Sequence, residues 1–248
     1  MPFDLTGYLA RIDHDPLPVS PEGLTALQIA QLRVIPFENS EPLLGRVPDL
    51  APSAIWRKLV VEKRGGYCLE LNTLLGQALE VLGYQATPIL GRVRMGAASG
   101  GPRAHLAHIV TLDGTEWLVD AGFGGPGPEA PLMLGWEAPA EQGCGTYRLR
   151  PDAATGEQVL ERQTPDGWFA LYGFDRVPVT APRRRSGQRG LRHMGQVAFP
   201  EPPHDASLAF RRTGEPLRSR AEAAGGHARV AEQGGPLGRS YRSLWPAG

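Results

Sequence analysis

Residues 64–83 contain a pair of glycines that leads directly into a helix-forming segment with a cysteine at its start. Residues 64–72 read RGGYCLELN, so the first turn of this helix carries Cys68. Apolar residues then recur at intervals of three and four, which predicts a helix with one face buried in a core. That face comprises Leu71, Leu74, Leu75, Ala78, Leu79 and Leu82. Gly83 predicts the end of the helix, because glycine readily adopts the left-handed conformation that often follows a last helical turn.

Cys68 has two interpretations at this position. A thiol in the first turn lies near the positive end of the helix dipole, where the thiolate is favoured over the thiol. Gly65 and Gly66 permit a tight turn that would present the sulfur at a cleft. Most free cysteines, however, are small buried hydrophobic residues. Cys68 is therefore a candidate nucleophile, and its catalytic partners have to be found elsewhere in the chain.

The composition excludes several classes of protein. Lys and Arg total 26, as do Asp and Glu, so a net charge of zero gives no attraction to nucleic acid or to a membrane surface. The 248 residues suffice for one large domain or two small ones. Two cysteines, Cys68 and Cys144, do not indicate a disulfide scaffold. Residues 1–15 lack the apolar segment of a signal peptide, and no stretch is as long as a membrane span, so we expect a cytoplasmic protein.

Residues 1–83 are predicted to form a helical bundle. Residues 4–12 have helical periodicity, and residues 21–33 follow Ser20, a residue type that commonly caps a helix. A further helix is predicted to begin with Ser53 as its cap. The helix that carries Cys68 completes this first third of the chain.

Residues 84–180 are predicted to form an antiparallel sheet. The period changes here to short, β-branched segments bounded by glycines, which is typical of strands joined by hairpins. The segments are 85–93, 106–112, 116–119, 147–150, 158–162 and 168–172. Asp113-Gly114 and Pro165-Asp166-Gly167 predict hairpin turns. Residues 126–144 contain several prolines and glycines with little periodicity, and we expect a long loop there.

Residues 181–248 have a different character. They contain the run Arg183-Arg184-Arg185, many further arginines and no lysine, within sequence rich in Gly, Pro, Ala and Ser. This composition lacks the periodicity of a packed core, so we expect an atypical or partly disordered region. The arginine run is either a site for anionic groups such as phosphates or a solvated loop, and charge runs favour the loop.

A catalytic thiol needs a base and a third group that orients the base. His105 and His108 are candidates for the base, and because residues three apart on a strand point to opposite faces, only one of them can face Cys68. Asp120 follows the apolar strand 116–119, where a carboxylate is either solvated or bonded to a specific group such as a histidine across the hairpin. The other histidines lack the spacing of metal ligands, so no metal site is expected.

Four motifs resemble the arylamine N-acetyltransferases in their order and spacing. They are Pro36-Phe37-Glu38-Asn39, residues 64–72, Ala104-His105-Leu106 and Val119-Asp120-Ala121-Gly122-Phe123-Gly124. By this resemblance Cys68 accepts the acetyl group, His105 is its base and Asp120 orients the base, in a triad like that of cysteine proteases. The implied fold is α+β, with a helical bundle in residues 1–83, a β-barrel-like antiparallel domain in residues 84–180, and a third α/β domain that closes the cleft.

The resemblance also implies the reaction and its substrates. Acetyl-CoA would acetylate Cys68, and an aromatic amine or hydrazine would then take the acetyl group in a ping-pong mechanism. The residues implied to line the arylamine pocket are Phe37, Val93 and Phe123. The glycines implied to lie near acetyl-CoA are Gly122, Gly124 and Gly125. The apolar residues of the pocket have plain core packing as an alternative role.

The resemblance stops near Ala181. Instead of the family's third domain, residues 181–248 continue as the Arg/Gly/Pro-rich region, and a shifted reading frame in the gene is one hypothesis for the change. Because the third domain helps to form the CoA cleft in the family, a member with an intact triad and impaired activity is one alternative. A thiol hydrolase or amidase with the same Cys/His/Asp triad is another.

Overall fold

The computed structural model describes residues 2–179, in which all the helices precede the strands. The helices are α1 (Leu5–Ile12), α2 (Pro21–Val34), α3 (Ser40–Leu43), α4 (Pro52–Trp56) and α5 (Cys68–Leu82), and a π-helical turn (Arg57–Val61) directly follows α4. The expectations for residues 181–248 lie outside the described residues. No helix in residues 2–179 is long and apolar enough to cross a membrane.

The ends of α2 and α5 are set by the local signals that predicted them. The Ser20 hydroxyl accepts a hydrogen bond from the Gly23 N–H at 3.1 Å, and Pro21 is the first residue of α2. Proline suits that position because its missing N–H would have no intrahelical partner. Gly83 ends α5 with a left-handed φ of 97°. The predicted start of α2 and end of α5 are therefore confirmed.

The prediction that Ser53 caps a helix is wrong. That helix, α4, begins at Pro52, and the N-cap position is held by Ala51 without a side-chain hydrogen bond. The fixed φ of Pro52 is already helical, which favours the first helical position over a cap at the next residue. From Arg57 the helix widens into the π-helical turn, which the apolar periodicity of this segment did not indicate.

The strands form one antiparallel sheet with the order β4-β3-β2-β1-β8-β7-β6-β5. They are β1 (Gln85–Val93), β2 (Arg103–Leu112), β3 (Thr115–Val119), β4 (Leu132–Met133), β5 (Ala140–Gln142), β6 (Gly145–Asp152), β7 (Glu157–Thr164) and β8 (Gly167–Phe174). The turn at Asp113-Gly114 has φ values of 48° and 79°, as the tight hairpin between β2 and β3 requires. The six predicted strands are all present, and β2 extends back to include His105.

The long loop predicted for residues 126–144 is interrupted by the short strands β4 and β5, which form the two edges of the sheet. The side-chain amide of Gln142 accepts a hydrogen bond from the Ala130 N–H at 3.0 Å and donates one to the Ala130 carbonyl at 3.1 Å. Ala130 lies just before β4, and Gln142 lies in β5. The two edges are therefore joined through one side chain, and the sheet nearly closes into a barrel.

Helix α5 packs against β1 and β2. Its predicted apolar face is buried from Leu71 to Leu79, whereas Leu82 is only half-buried. Close approach of the helix to β2 requires a glycine at residue 76, because a Cβ there would lie 2.5 Å from the His108 ring. On the opposite face of the sheet, a second apolar cluster that includes Phe123 and Tyr172 fills the barrel. The candidate catalytic residues lie between the apolar face of α5 and the cluster that fills the barrel.

Candidate active site

The start of α5 is fixed by backbone pairing between two of the sequence motifs. Phe37 and Gly66 form a parallel bridge, in which the Glu38 N–H donates to the Gly66 carbonyl at 2.9 Å. The Gly66 N–H donates to the Pro36 carbonyl at 3.2 Å. A Cβ on Gly65 would lie 2.3 Å from the Pro36 oxygen, so the close approach of the two segments requires glycine. This pairing determines where α5 begins and therefore where Cys68 lies.

Cys68 lies against the beginning of β2. Its side chain is buried, with Sγ 3.6 Å from the Ala104 carbonyl oxygen. The thiol also interacts electrostatically with His105, the next residue along β2, and this interaction raises the pKa of the ring. The helix and the sheet thus supply one member each to a thiol–imidazole pair.

His105 is held from its other side by Asp120, which directly follows β3. Its Nε2 atom lies 2.6 Å from Asp120 Oδ2, so Nδ1 is the ring nitrogen left for Cys68. Burial disfavours the imidazolium, but the Asp120 carboxylate and the interaction with Cys68 outweigh burial and raise the pKa of His105 to about 10. The ring is therefore protonated at neutral pH and can carry a proton to or from sulfur.

Asp120 is buried, and donors surround its carboxylate. Oδ2 also accepts a hydrogen bond from the Tyr172 hydroxyl at 3.0 Å, while Oδ1 accepts from Asn72 Nδ2 at 2.8 Å and from the Gly122 N–H at 2.9 Å. Burial raises the pKa of this carboxyl, but His105 and the surrounding donors more than offset burial and lower it below its usual value. Asp120 is thus a fixed anion that orients the imidazole.

Sequence reasoning assigned no role to three residues that hold this arrangement. Asn72 lies one helical turn after Cys68, and its side-chain oxygen accepts from the Ala121 N–H at 3.0 Å. Gln28 on α2 accepts from the Asp120 N–H at 3.0 Å, although it is fully buried on a mainly apolar helix face. Tyr172 on β8 donates to Asp120 as described. The spacing of four between Cys68 and Asn72 was a usable signal, because it places both side chains on one helix face.

His108 lies on the other face of β2, as the strand period predicts. Its Nε2 atom lies 2.7 Å from the Asn72 carbonyl oxygen, and its ring packs against α5 at Gly76. The structure therefore brings His105, and not His108, to the carboxylate of Asp120. Within residues 2–179, no group of three or more His, Cys, Asp or Glu side chains is placed to hold a metal ion.

Comparison with known proteins places this arrangement in a family. A family model described as N-acetyltransferase matches residues 21–193, a span that contains Cys68, His105 and Asp120. The arylamine N-acetyltransferase / N-hydroxyarylamine O-acetyltransferase of Salmonella typhimurium is 38% identical over 173 residues, which is 69% of this chain and 61% of that protein. The chain belongs to the arylamine N-acetyltransferase family. It spans less than two thirds of the length of this curated relative.

Solved structures of arylamine N-acetyltransferases have the same fold. The enzyme from Salmonella typhimurium aligns with a TM-score of 0.73 at 34% identity, over 79% of this chain and 71% of that one. The Mycobacterium marinum enzyme in complex with CoA aligns with a TM-score of 0.68 at 37% identity, over 75% of this chain and 70% of that one. The mixed architecture of helices and antiparallel, nearly closed sheet is therefore confirmed.

The apolar residues that the family resemblance assigned to an arylamine pocket lie around the thiol–imidazole pair. The Phe123 ring meets the His105 ring edge-on, with centroids 5.2 Å apart. Phe37 is half-buried and packs on the apolar cluster that contains Cys68. Val93 is also half-buried, and it packs on the barrel cluster that contains Phe123. The two aromatic residues are thus associated directly with the thiol–imidazole pair, whereas Val93 is associated with it only through the barrel cluster.

The glycines assigned to the acetyl-CoA site of this family differ in their surroundings. A Cβ on Gly122 would lie 2.8 Å from Asn72 Nδ2 and 3.2 Å from Cys68 Cα, so the absence of a side chain lets this loop pack against the start of α5. Gly124 has a φ of 73° and faces the Phe37 ring. Gly124 and Gly125 are exposed. These two residues, rather than the buried Gly122, offer backbone that a bound molecule can reach.

Proposed function

We propose that this chain is an acetyl-CoA-dependent arylamine N-acetyltransferase that works through an acetyl-Cys68 intermediate. The observation that supports this most directly is the placement of His105 between Cys68 and Asp120. One ring nitrogen contacts the carboxylate at 2.6 Å, which leaves the other to bond the thiol. A thiol, a base and an orienting carboxylate are the groups that acyl transfer through a cysteine requires.

In the first half-reaction, the Cys68 thiolate attacks the carbonyl carbon of the acetyl thioester. The tetrahedral intermediate collapses by breaking the bond between carbon and the sulfur of CoA, and the imidazolium of His105 donates its proton to the departing thiolate. Asp120 keeps the ring in one orientation, with Nδ1 toward sulfur. The products are acetyl-Cys68, neutral His105 and free CoA.

In the second half-reaction, an aromatic amine or hydrazine attacks the acetyl carbon of acetyl-Cys68. The nitrogen loses a proton to neutral His105, and the bond between carbon and Cys68 sulfur breaks. The raised pKa of His105 supports this step, because a strongly basic imidazole retains the proton and regenerates the thiolate–imidazolium pair. The enzyme is thereby restored after one acetyl group has moved from CoA to nitrogen.

The substrates follow from the relatives and from the walls of the site. The Salmonella typhimurium relative is named an arylamine N-acetyltransferase, and the Mycobacterium marinum neighbour is a complex with CoA. The Phe123 ring, edge-on to His105, supports an aromatic acceptor, because aromatic rings pack favourably edge-to-face. A reducing compartment such as the cytoplasm suits this chemistry, since it keeps the Cys68 thiol reduced.

Intact mass after mixing the full chain with acetyl-CoA, and no amine, tests the proposal. We expect a gain of one acetyl group that is absent in Cys68→Ala and is discharged by an added arylamine. Release of acetate without any amine would support a thiol hydrolase instead. No mass gain, with Cys68 still open to alkylation, would contradict the transferase and support a family member that has lost acetyl-CoA binding.

A further inference from the structure

A buried ion pair lies at the first turn of α5, the helix that carries Cys68, and outside the triad. Glu70 is the third residue of α5, and its side chain is only 2% exposed. Its Oε2 atom accepts from the Tyr67 N–H at 3.1 Å and from Lys58 Nζ at 3.0 Å. Tyr67 directly precedes Cys68 in the chain. The ammonium of Lys58 is therefore linked through one carboxylate to the backbone at the start of α5.

The hydrogen bond from Tyr67 fixes the geometry of the first turn of α5. The Glu70 N–H donates to the Tyr67 carbonyl at 3.0 Å, while the Glu70 carboxylate receives the Tyr67 N–H, so the two residues bond reciprocally. The Glu70 side chain thus makes one half of a capping box, and it satisfies an N–H group that has no partner within the helix. A neutral amide at residue 70 can accept the same hydrogen bond. The cap therefore explains an oxygen at this position but not a charge.

The negative charge of Glu70 opposes formation of the Cys68 thiolate. A buried carboxylate in the first turn of α5 disfavours a second negative charge on Cys68, because few solvent dipoles screen the repulsion. Burial raises the pKa of Glu70 above its usual value, although Lys58 opposes the rise. Lys58 is itself only 12% exposed and contacts both carboxylate oxygens, at 2.9 and 3.0 Å.

Lys58 lies in the π-helical turn that follows α4. Such turns often occur at functional sites, where they redirect a side chain at some cost in helix geometry. Lys58 Nζ also lies 3.2 Å from Glu41 and 3.8 Å from Glu38, and Arg64 pairs with the same two residues. Those two carboxylates are 24% and 29% exposed, so Glu70 is the one whose charge is least screened by water.

We propose that Lys58 supports the reaction of Cys68 as a positioning residue. It neutralises the charge of the Glu70 carboxylate, so that the thiolate of Cys68 can form in the same first turn of α5. The inference rests on the proposed function, in which Cys68 reacts as a thiolate. The other charged groups at Cys68 are His105 and Asp120 from the sheet, and neither contacts Lys58 in the described part of the chain.

The pH dependence of Cys68 alkylation by iodoacetamide tests this role, with the Cys68 peptide followed by mass spectrometry so that Cys144 does not contribute. We expect Lys58→Met to move the profile to higher pH, because Glu70 loses its counter-charge. We expect Glu70→Gln to keep the cap and move the profile to lower pH. Each shift should be about half a pH unit or more. The double variant, in which both charges are absent, should return close to the wild-type profile.

Two controls separate this role from a purely structural one. Lys58→Arg keeps the charge and should keep the wild-type profile. Glu161→Gln removes a similarly buried carboxylate that pairs with Arg148 on the β6–β7 side of the sheet, and it should leave the profile unchanged. Shifts of Lys58→Met and Glu70→Gln in the same direction, or no shift in Glu70→Gln, would overturn the proposal. Because Glu70→Gln alone is decisive, the test survives a Lys58→Met protein that does not fold.

The alkylation experiment needs no acetyl-CoA, so it is independent of the proposed function. A wild-type chain that gains no acetyl group from acetyl-CoA contradicts the transferase activity. Alkylation profiles that coincide in wild type and Glu70→Gln contradict only the role of Lys58.

Discussion

Two groups of charged side chains are buried in the sheet region, and they are built differently. In the first, His105 and Asp120 are in contact, and one ring nitrogen of His105 faces Cys68. In the second, Arg94 Nη1 donates to Asp152 at 2.8 Å and Nη2 donates to Glu157 at 2.7 Å. We call these the catalytic cluster and the Arg94 cluster. Both occupy interior positions, yet only the catalytic cluster contains an imidazole, a group that can take up and release a proton during a reaction.

The two clusters differ in whether their charged groups can change protonation state. Burial lowers the pKa of Arg94, but Glu157 and Asp152 more than offset burial and raise it, so the guanidinium stays charged across the neutral range. The Arg94 cluster therefore links the residue after β1 to β6 and β7 through charges that stay fixed. The catalytic cluster combines a fixed anion with a titratable ring and a reactive sulfur. Burial of charge alone therefore does not indicate a reaction, and the catalytic cluster is distinguished by a titratable ring that lies between a carboxylate and a sulfur.

Cys68→Ala is expected to give the largest contrast between a loss of acetyl-transfer rate and a loss of stability. Loss of the nucleophile should reduce acetyl transfer at least about a thousandfold, while stability should change by no more than about 1 kcal/mol because the thiol is small. Rates of arylamine acetylation and a thermal melt on the same preparation measure both quantities. A variant that still transfers acetyl groups at a tenth of the wild-type rate would show that the catalytic cluster does not work through sulfur.

Asp120→Asn should damage both chemistry and stability. Each carboxylate oxygen accepts two hydrogen bonds, so the NH2 group of an asparagine must face at least one donor. We expect a loss of about 1,000-fold in acetylation rate, because the imidazole is no longer oriented, and about 2–4 kcal/mol in unfolding free energy. Steady-state kinetics and urea denaturation check these values. A rate within tenfold of wild type would contradict the orienting role.

Arg94→Met should show the opposite pattern. Among residues 2–179, it leaves the buried Glu157 carboxylate with the half-exposed Arg92 as its one cation partner, at 3.2 Å, so we expect a loss of about 3 kcal/mol in stability. The acetylation rate of the folded fraction should stay within about twofold. Arg148→Met, which breaks a more exposed pair with Glu161, is the control and should cost no more than about 1 kcal/mol. A large loss of rate in Arg94→Met would mean that the two clusters are coupled.

The pH dependence of stability should separate the clusters without reference to activity. The pKa of His105 is raised on folding, so its contribution is fully present below about 6.5 and is lost as the pH rises toward about 10. The stability difference between wild type and His105→Gln should therefore shrink over this range. The difference for Arg94→Met should stay flat, because arginine does not titrate there. Urea denaturation at several pH values measures both trends, and parallel curves would refute the assignment.

Tyr172→Phe should have the smallest effect. It removes one of the two donors to Asp120 Oδ2 and leaves the other, His105, in place. We expect a stability loss of about 1 kcal/mol and a rate reduction of about five- to tenfold, since the carboxylate is less firmly held. The same kinetic and denaturation measurements apply. A rate loss as large as that of Asp120→Asn would give Tyr172 a larger role than that of a supporting donor.

The parts of the fold that were predictable are those with a strong local pattern. The apolar period of α5, the left-handed Gly83 and the Asp113-Gly114 hairpin each depend on neighbouring residues alone. Strands β4 and β5 span two and three residues, too few for an alternating pattern to be recognised. The π-helical turn was missed for a related reason, because its composition does not differ from that of an α-helix.

At the candidate site, the sequence indicated only the three groups that are proposed to react, Cys68, His105 and Asp120. Strand periodicity separated His105 from His108, and the motif resemblance then chose between them. Gln28 and Tyr172 could not be found, because their bonds to Asp120 depend on how distant elements pack. A glutamine within an apolar helix and a tyrosine in a strand are both common in cores that have no active site. Their roles follow from tertiary structure, which no local spacing encodes.

The hydrogen bond from Asp120 to Gln28 has a consequence for how the protein folds. It joins residues 92 positions apart, whereas β2 and β3 are joined by a two-residue turn. Contacts that close long loops form later than local hairpins, because the chain must lose more entropy before they are made. The hairpin that carries His105 and Asp120 can thus form before α2 docks on it. A refolding chain should therefore regain the β2–β3 hairpin before the hydrogen bond that fixes Asp120 to α2.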